Sequence, residues 1–80
     1  MNFFETLVSK LKDAINRAND CYREDDLEAN HIAYGEALAY RKILSDCLGH
    51  EVVFYAQDQI DGYYFIAELA IDGELIKTDE

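Results

Sequence analysis

The hydrophobic period of this chain changes once, at Gly49, and the change implies a two-part fold. Before Gly49 apolar residues recur at alternating spacings of three and four. After it they alternate with a period of two, the repeat of a strand with one face buried. Eighty residues leave room for one core, and no proline interrupts either part. The expected fold is therefore α+β: an antiparallel helix hairpin packed on one face of a three-stranded antiparallel β-meander, with residues 1–80 as a single domain.

The first helix is expected over about 3–22. Phe4, Leu7, Leu11, Ala14, Ala18 and Cys21 form its stripe, widened by Val8, Ile15 and Tyr22, with Asn2 as N-cap. The second is expected over about 26–48. Asp25 followed by Glu28 has the spacing of a capping box. Ala29, Ala33, Ala37, Tyr40, Leu44 and Cys47 carry its stripe, and Gly49 is the stop signal. A short polar connection makes the two helices antiparallel neighbours.

Three strands are expected, at about 51–57, 63–71 and 74–78. Asp61-Gly62 and Asp72-Gly73 lie between them, and Asp-Gly is favoured in two-residue type I′ hairpin turns. The turns can be checked against each other. Asp72-Gly73 sets Leu69 opposite Ile76 and Glu68 opposite Lys77. Asp61-Gly62 sets Phe54 opposite Leu69 and Val52 opposite Ile71. Both registers place Val52, Phe54, Ala56, Phe65, Ala67, Leu69, Ile71 and Ile76 on one face, which should pack on a helix stripe containing Leu11, Tyr40 and Leu44.

The opposite face should then hold Val53, Tyr55, Tyr64, Ile66 and Leu75. Glu51, Asp58, Asp61, Asp72, Glu74 and Asp79 should ring it. A solvated sheet face is ordinarily polar. Large apolar residues inside a charged rim have the anatomy of a protein interface, so these eleven residues are the expected partner-binding set.

Charge strengthens that expectation. Residues 1–45 carry eight acids and six bases, whereas residues 46–80 carry nine acids and one base, Lys77. A field of one sign attracts cationic partners and repels nucleic acid, so direct nucleic-acid binding is not expected.

Other chemistries find little support. Cys21, His31, Cys47 and His50 are zinc-ligand types, but an antiparallel hairpin puts the first two about 20–25 Å from the last two at 1.5 Å per residue. The plain reading is that both cysteines are small reduced core residues. The acids of 20–28 and 58–62 lack the ligand alternation of a calcium loop. His31 and His50 have no foreseeable carboxylate partner, and Ser9 and Ser45 lack a nucleophile motif. Neither an enzyme nor a cofactor is expected. No run of apolar residues is long enough to span a membrane, and Met1 to Glu5 do not form a signal peptide; a cytoplasmic location is expected.

In size, acidity and lack of motifs the chain resembles small accessory proteins of phages and mobile elements: anti-CRISPR proteins, DNA-mimicking anti-restriction proteins and acidic bacteriocin-immunity proteins. The resemblance is one of composition over the whole chain and assigns no residue a role. With the charge pattern it points to a non-catalytic inhibitor that occludes a basic protein, a nuclease or other nucleic-acid-binding protein. The alternative is a homo-oligomeric assembly protein whose aromatic sheet face is a dimer interface.

Overall fold

Two side-chain caps start the helices. In the computed structural model, which describes residues 2–78, α1 spans Phe3–Arg23 and α2 spans Leu27–Lys42. Asn2 Oδ1 accepts from the Glu5 N–H at 2.8 Å. The second cap is Asp26, which accepts from the Ala29 N–H at 3.2 Å, and not Asp25. Asp25 stands one residue earlier with φ 59 in the turn, and its carboxylate takes the Tyr63 hydroxyl instead. Past Lys42 the second helix widens into a π-helical turn, Ile43–Cys47, and stops at Gly49 with φ 76. That left-handed value suits glycine.

The helices meet through small residues. Ala14, Ala18, Ala33 and Ala37 are all buried, which lets the two backbones approach closely. Arg17 bridges them at the surface. Its two terminal nitrogens reach Glu36 at 3.0 Å each, and its Nε reaches Asp13 at 2.9 Å. Exposed pairs of this kind contribute about 0–1 kcal/mol.

Both Asp-Gly turns form, with positive φ at Asp61 and Gly62 and at Asp72 and Gly73, as a type I′ turn requires. Their registers are those expected. Val52 opposes Ile71, Phe54 opposes Leu69, and Leu69 opposes Ile76. Leu69 and Ile71 are buried with Leu11 and Leu44, and Val52, Phe54, Tyr40 and Ile76 pack against them. A helix hairpin covered by a three-stranded antiparallel sheet is thus the architecture.

The long hairpin is nevertheless broken in two. β1 (Val52–Tyr55), β4 (Glu68–Ile71) and β5 (Glu74–Ile76) form the sheet, in the order β1-β4-β5. β2 (Asp58–Ile60) and β3 (Tyr63–Phe65) form a separate two-stranded ribbon. The break falls at Ala56-Gln57 and, opposite, Ile66-Ala67. Ala56 holds φ 52, a conformation that costs a residue with a Cβ about 1–2 kcal/mol. Ala56 and Ala67 are exposed at this junction, contrary to their expected place on the core face.

Register continues across the break, since Asp58 still opposes Phe65, but facing does not. Tyr64 turns towards α2 and stacks on Tyr34, with ring centroids 3.9 Å apart and planes within 4°. Ile66 has no exposed surface. Phe65 and Tyr63, of the other parity, meet Tyr22 edge-on. The ribbon therefore straddles the helix hairpin with one edge inward, and does not lie on it by one face.

Candidate functional site

Two buried asparagines hold that inward edge. In a two-residue hairpin the pairs Ile60–Tyr63 and Asp58–Phe65 exchange hydrogen bonds, so the backbone groups of Tyr64 and Ile66 point away from β2. Asn19 on α1 donates to the Ile66 carbonyl at 2.8 Å and accepts from its N–H at 3.0 Å. Asn30 on α2 donates to the Tyr64 carbonyl at 3.0 Å and accepts from its N–H at 2.9 Å. Asn30 also donates to the Ala18 carbonyl at 2.8 Å, which ties α1 into the same joint. Each amide stands in for a missing neighbouring strand, and among the described residues no buried side-chain nitrogen or oxygen lacks a hydrogen-bond partner.

This joint corrects the expected working surface. Tyr64 and Ile66 are not on an exposed face; gripping their backbones turns Tyr64 against Tyr34 and buries Ile66 in the core. Sequence reasoning passed over Asn19 and Asn30. The available signal was position: Asn19 is four residues past Ile15, and Asn30 four before Tyr34, so each amide lies in line with buried side chains.

The remaining surface is the outer face of the sheet. Val53, Ala70 and Leu75 form one row across it, with Ala70 buried between its neighbours, and Tyr55 opposite Glu68 begins the next. Leu75 is 63% exposed and Tyr55 46%, while Val53 is half-buried. Glu51, Glu68, Asp72 and Glu74 are exposed around the sheet, and Asp58 and Asp61 are exposed on the ribbon. Asp79 lies outside the described residues. Among the described residues no ion pair joins Glu68 to Lys77, and none engages Glu51, Asp58, Asp61 or Glu74.

Asp72 has a different role. Its Oδ2 meets His50 Nδ1 at 2.6 Å, and its Oδ1 accepts from the Glu51 N–H at 2.9 Å. Its own N–H donates to the Glu51 carbonyl at 2.8 Å, extending the β1–β4 ladder by one rung. His50, first of all, and the Glu51 N–H hold the Asp72 carboxyl below the usual carboxylate range. The His50 ring also lies 4.5 Å from that of Phe4. The β4–β5 turn is thereby latched to the far end of the helix pair, through a carboxylate partner for His50 that the sequence did not foretell.

Two open grooves lie on the described surface. One, of about 390 Å³, lies at the open end of the β4–β5 hairpin and is lined by Ala67, Glu68, Leu75, Ile76, Lys77 and Thr78. The other, of about 380 Å³, lies along the helices near Cys21, Ala29 and Ile32. Burial, and then Asp26, Glu24 and Asp20, push the Cys21 thiol up, which makes it a poor nucleophile at neutral pH. Cys47 is exposed and not a core residue. Among the described residues no three His, Cys, Asp or Glu side chains are grouped to hold a metal ion, and no helix is long and apolar enough to cross a membrane.

Comparison with known protein families, curated proteins and solved structures finds no match to this chain.

Proposed function

We propose that this chain is a small acidic binding protein that works without catalysis, occluding a basic protein that handles nucleic acid. The observation that carries the reading is the set of exposed carboxylates without ion-pair partners among the described residues, Glu51, Glu68 and Glu74 around a sheet that also exposes Tyr55 and Leu75, with Asp58 and Asp61 on the adjoining ribbon. Unpaired surface carboxylates speed encounter with a cationic surface, and the apolar residues give contact area once docked. Tyr55 and Leu75 replace the larger patch expected from sequence, because Tyr64 and Ile66 are committed to the core.

The test uses a panel of purified nucleases and other duplex-DNA-binding proteins. Complex formation should weaken steeply with added salt, and duplex DNA and this protein should exclude one another from the target. Neutralising Glu51, Glu68 and Glu74 together should slow association more than it hastens dissociation. Simultaneous binding of DNA and protein with unchanged affinities would overturn occlusion. Self-association through Tyr55 and Leu75, indifferent to salt, would favour the homo-oligomer instead.

A further inference from the structure

The outward edges of β3 and β5 are treated differently. The edge of β3 is closed by Asn19 and Asn30. The edge of β5 is not. In the β4–β5 hairpin, Ile71–Glu74 and Leu69–Ile76 are the hydrogen-bonded pairs, so the N–H and C=O of Leu75, opposite Ala70, point outward. No partner takes them among the described residues. An open edge is a template for another strand.

Three features make this edge suited to a specific guest. A groove of about 390 Å³ lies where β4 and β5 meet at the open end of their hairpin, with Ala67 and Ile76 as apolar lining and Leu75 63% exposed at its border. Glu74 at the start of β5 is exposed and has no ion-pair partner among the described residues, and residues 46–80 carry nine acids against one base, Lys77. The latch of Asp72 to His50 and Glu51 fixes the β4–β5 turn, so the strand need not be ordered when the guest arrives. The other end of the sheet is less suited to a cation, because the Arg41 guanidinium already sits 4.8 Å from the Phe54 ring of β1.

We infer that β5 receives an extended, lysine- or arginine-bearing segment of the target as an added strand, its backbone paired with Leu75 and its cations beside Glu74 in the acidic field of this half of the chain. This rests on the reading of the protein as a binder of basic proteins and specifies the contact. Main-chain bonds supply affinity in such strand addition, and alternate side chains supply selectivity.

The test uses a short synthetic peptide of alternating lysine and valine, and the same peptide N-methylated at every second amide, in both frames. Methylation keeps the charge and removes the donors. The unmethylated peptide should bind and slow hydrogen exchange at the Leu75 amide, and one methylated frame should bind about tenfold more weakly, the effect of losing one or two hydrogen bonds. Leu75→Pro, which deletes the outward donor but no bond within the hairpin, should weaken binding similarly while its melting curve shows a folded domain. Equal binding of all three peptides, without protection of Leu75, would overturn strand addition and leave the acidic-binder reading standing. Absence of binding by any of the peptides at low salt would overturn both. Protection of Leu75 by a second copy of the chain, with no peptide present, would overturn the cationic guest.

Discussion

The sheet β1-β4-β5 and the ribbon β2-β3 share one hairpin register, yet they meet the helices differently. The sheet lies face-on: Leu69 and Ile71 point in and Tyr55 and Leu75 point out, as period-two alternation requires. The ribbon lies edge-on: its backbone is gripped by Asn19 and Asn30, and side chains of both parities contact helices. Alternation tells which residues share a face. It tells which face is buried only where packing is face to face.

The sharpest way to break this comparison is to truncate one residue in each region. Ile66 and Leu75 were both expected on the outer face. Ile66→Ala should cost about 2–5 kcal/mol in chemical denaturation, as for a fully buried aliphatic residue, and Leu75→Ala less than about 0.5 kcal/mol. Equal losses would mean that the ribbon is not turned. Next in size, Asn19→Ala strands the N–H and C=O of buried Ile66 and should cost about 2–3 kcal/mol. A loss below about 0.5 kcal/mol would show that water satisfies these groups equally well.

The junction gives a smaller effect of opposite sign. Ala56→Gly relieves the left-handed strain but adds freedom to the unfolded chain, so it should be neutral or stabilising by up to about 1 kcal/mol. Clear destabilisation would show that the break is not set by Ala56. Smallest are two side-chain latches, one exposed at Asp72 and one part-buried at Tyr63, which should fail at opposite ends of the pH scale. Asp72 has a depressed carboxyl, so its contribution is present above the ordinary aspartate range near 3.9 and is lost as pH falls through the lower folded value. The hydrogen bond to Asp25 pushes the Tyr63 phenol up to about 12. Its contribution is intact below the ordinary tyrosine value near 10 and is lost as pH rises towards 12. Asp72→Asn should therefore flatten the acid limb of stability against pH, and Tyr63→Phe the alkaline limb.

Most of the architecture was legible because its signals are local and mutually consistent. Asn2 caps α1, Gly49 ends α2, and two Asp-Gly turns fix the register of Val52 against Ile71 and Leu69 against Ile76. The break was not legible. Ala56 is an ordinary strand-end residue by type, and no neighbouring glycine marks its φ 52. The site suffered from the same gap. Tyr55, Leu75 and the acids from Glu51 to Glu74 are exposed as expected, but Tyr64 and Ile66 were placed by continuing the alternation through a junction where it stops. The asparagines that stop it act over long range, joining Asn19 to Ile66 and Asn30 to Tyr64, and no pattern within one helix reports such a pairing.

Amide hydrogen exchange on the free protein tests the central contrast most directly, because the Tyr64, Ile66 and Leu75 N–H groups all point away from their hairpin partners. With the asparagines closing one edge and no described residue closing the other, Tyr64 and Ile66 should exchange at least about a hundredfold more slowly than Leu75, at rates approaching those of the core. Exchange at Tyr64 and Ile66 as fast as at Leu75 would contradict the edge-on joint; a Leu75 amide as slow as Ile66 would contradict the open edge on β5.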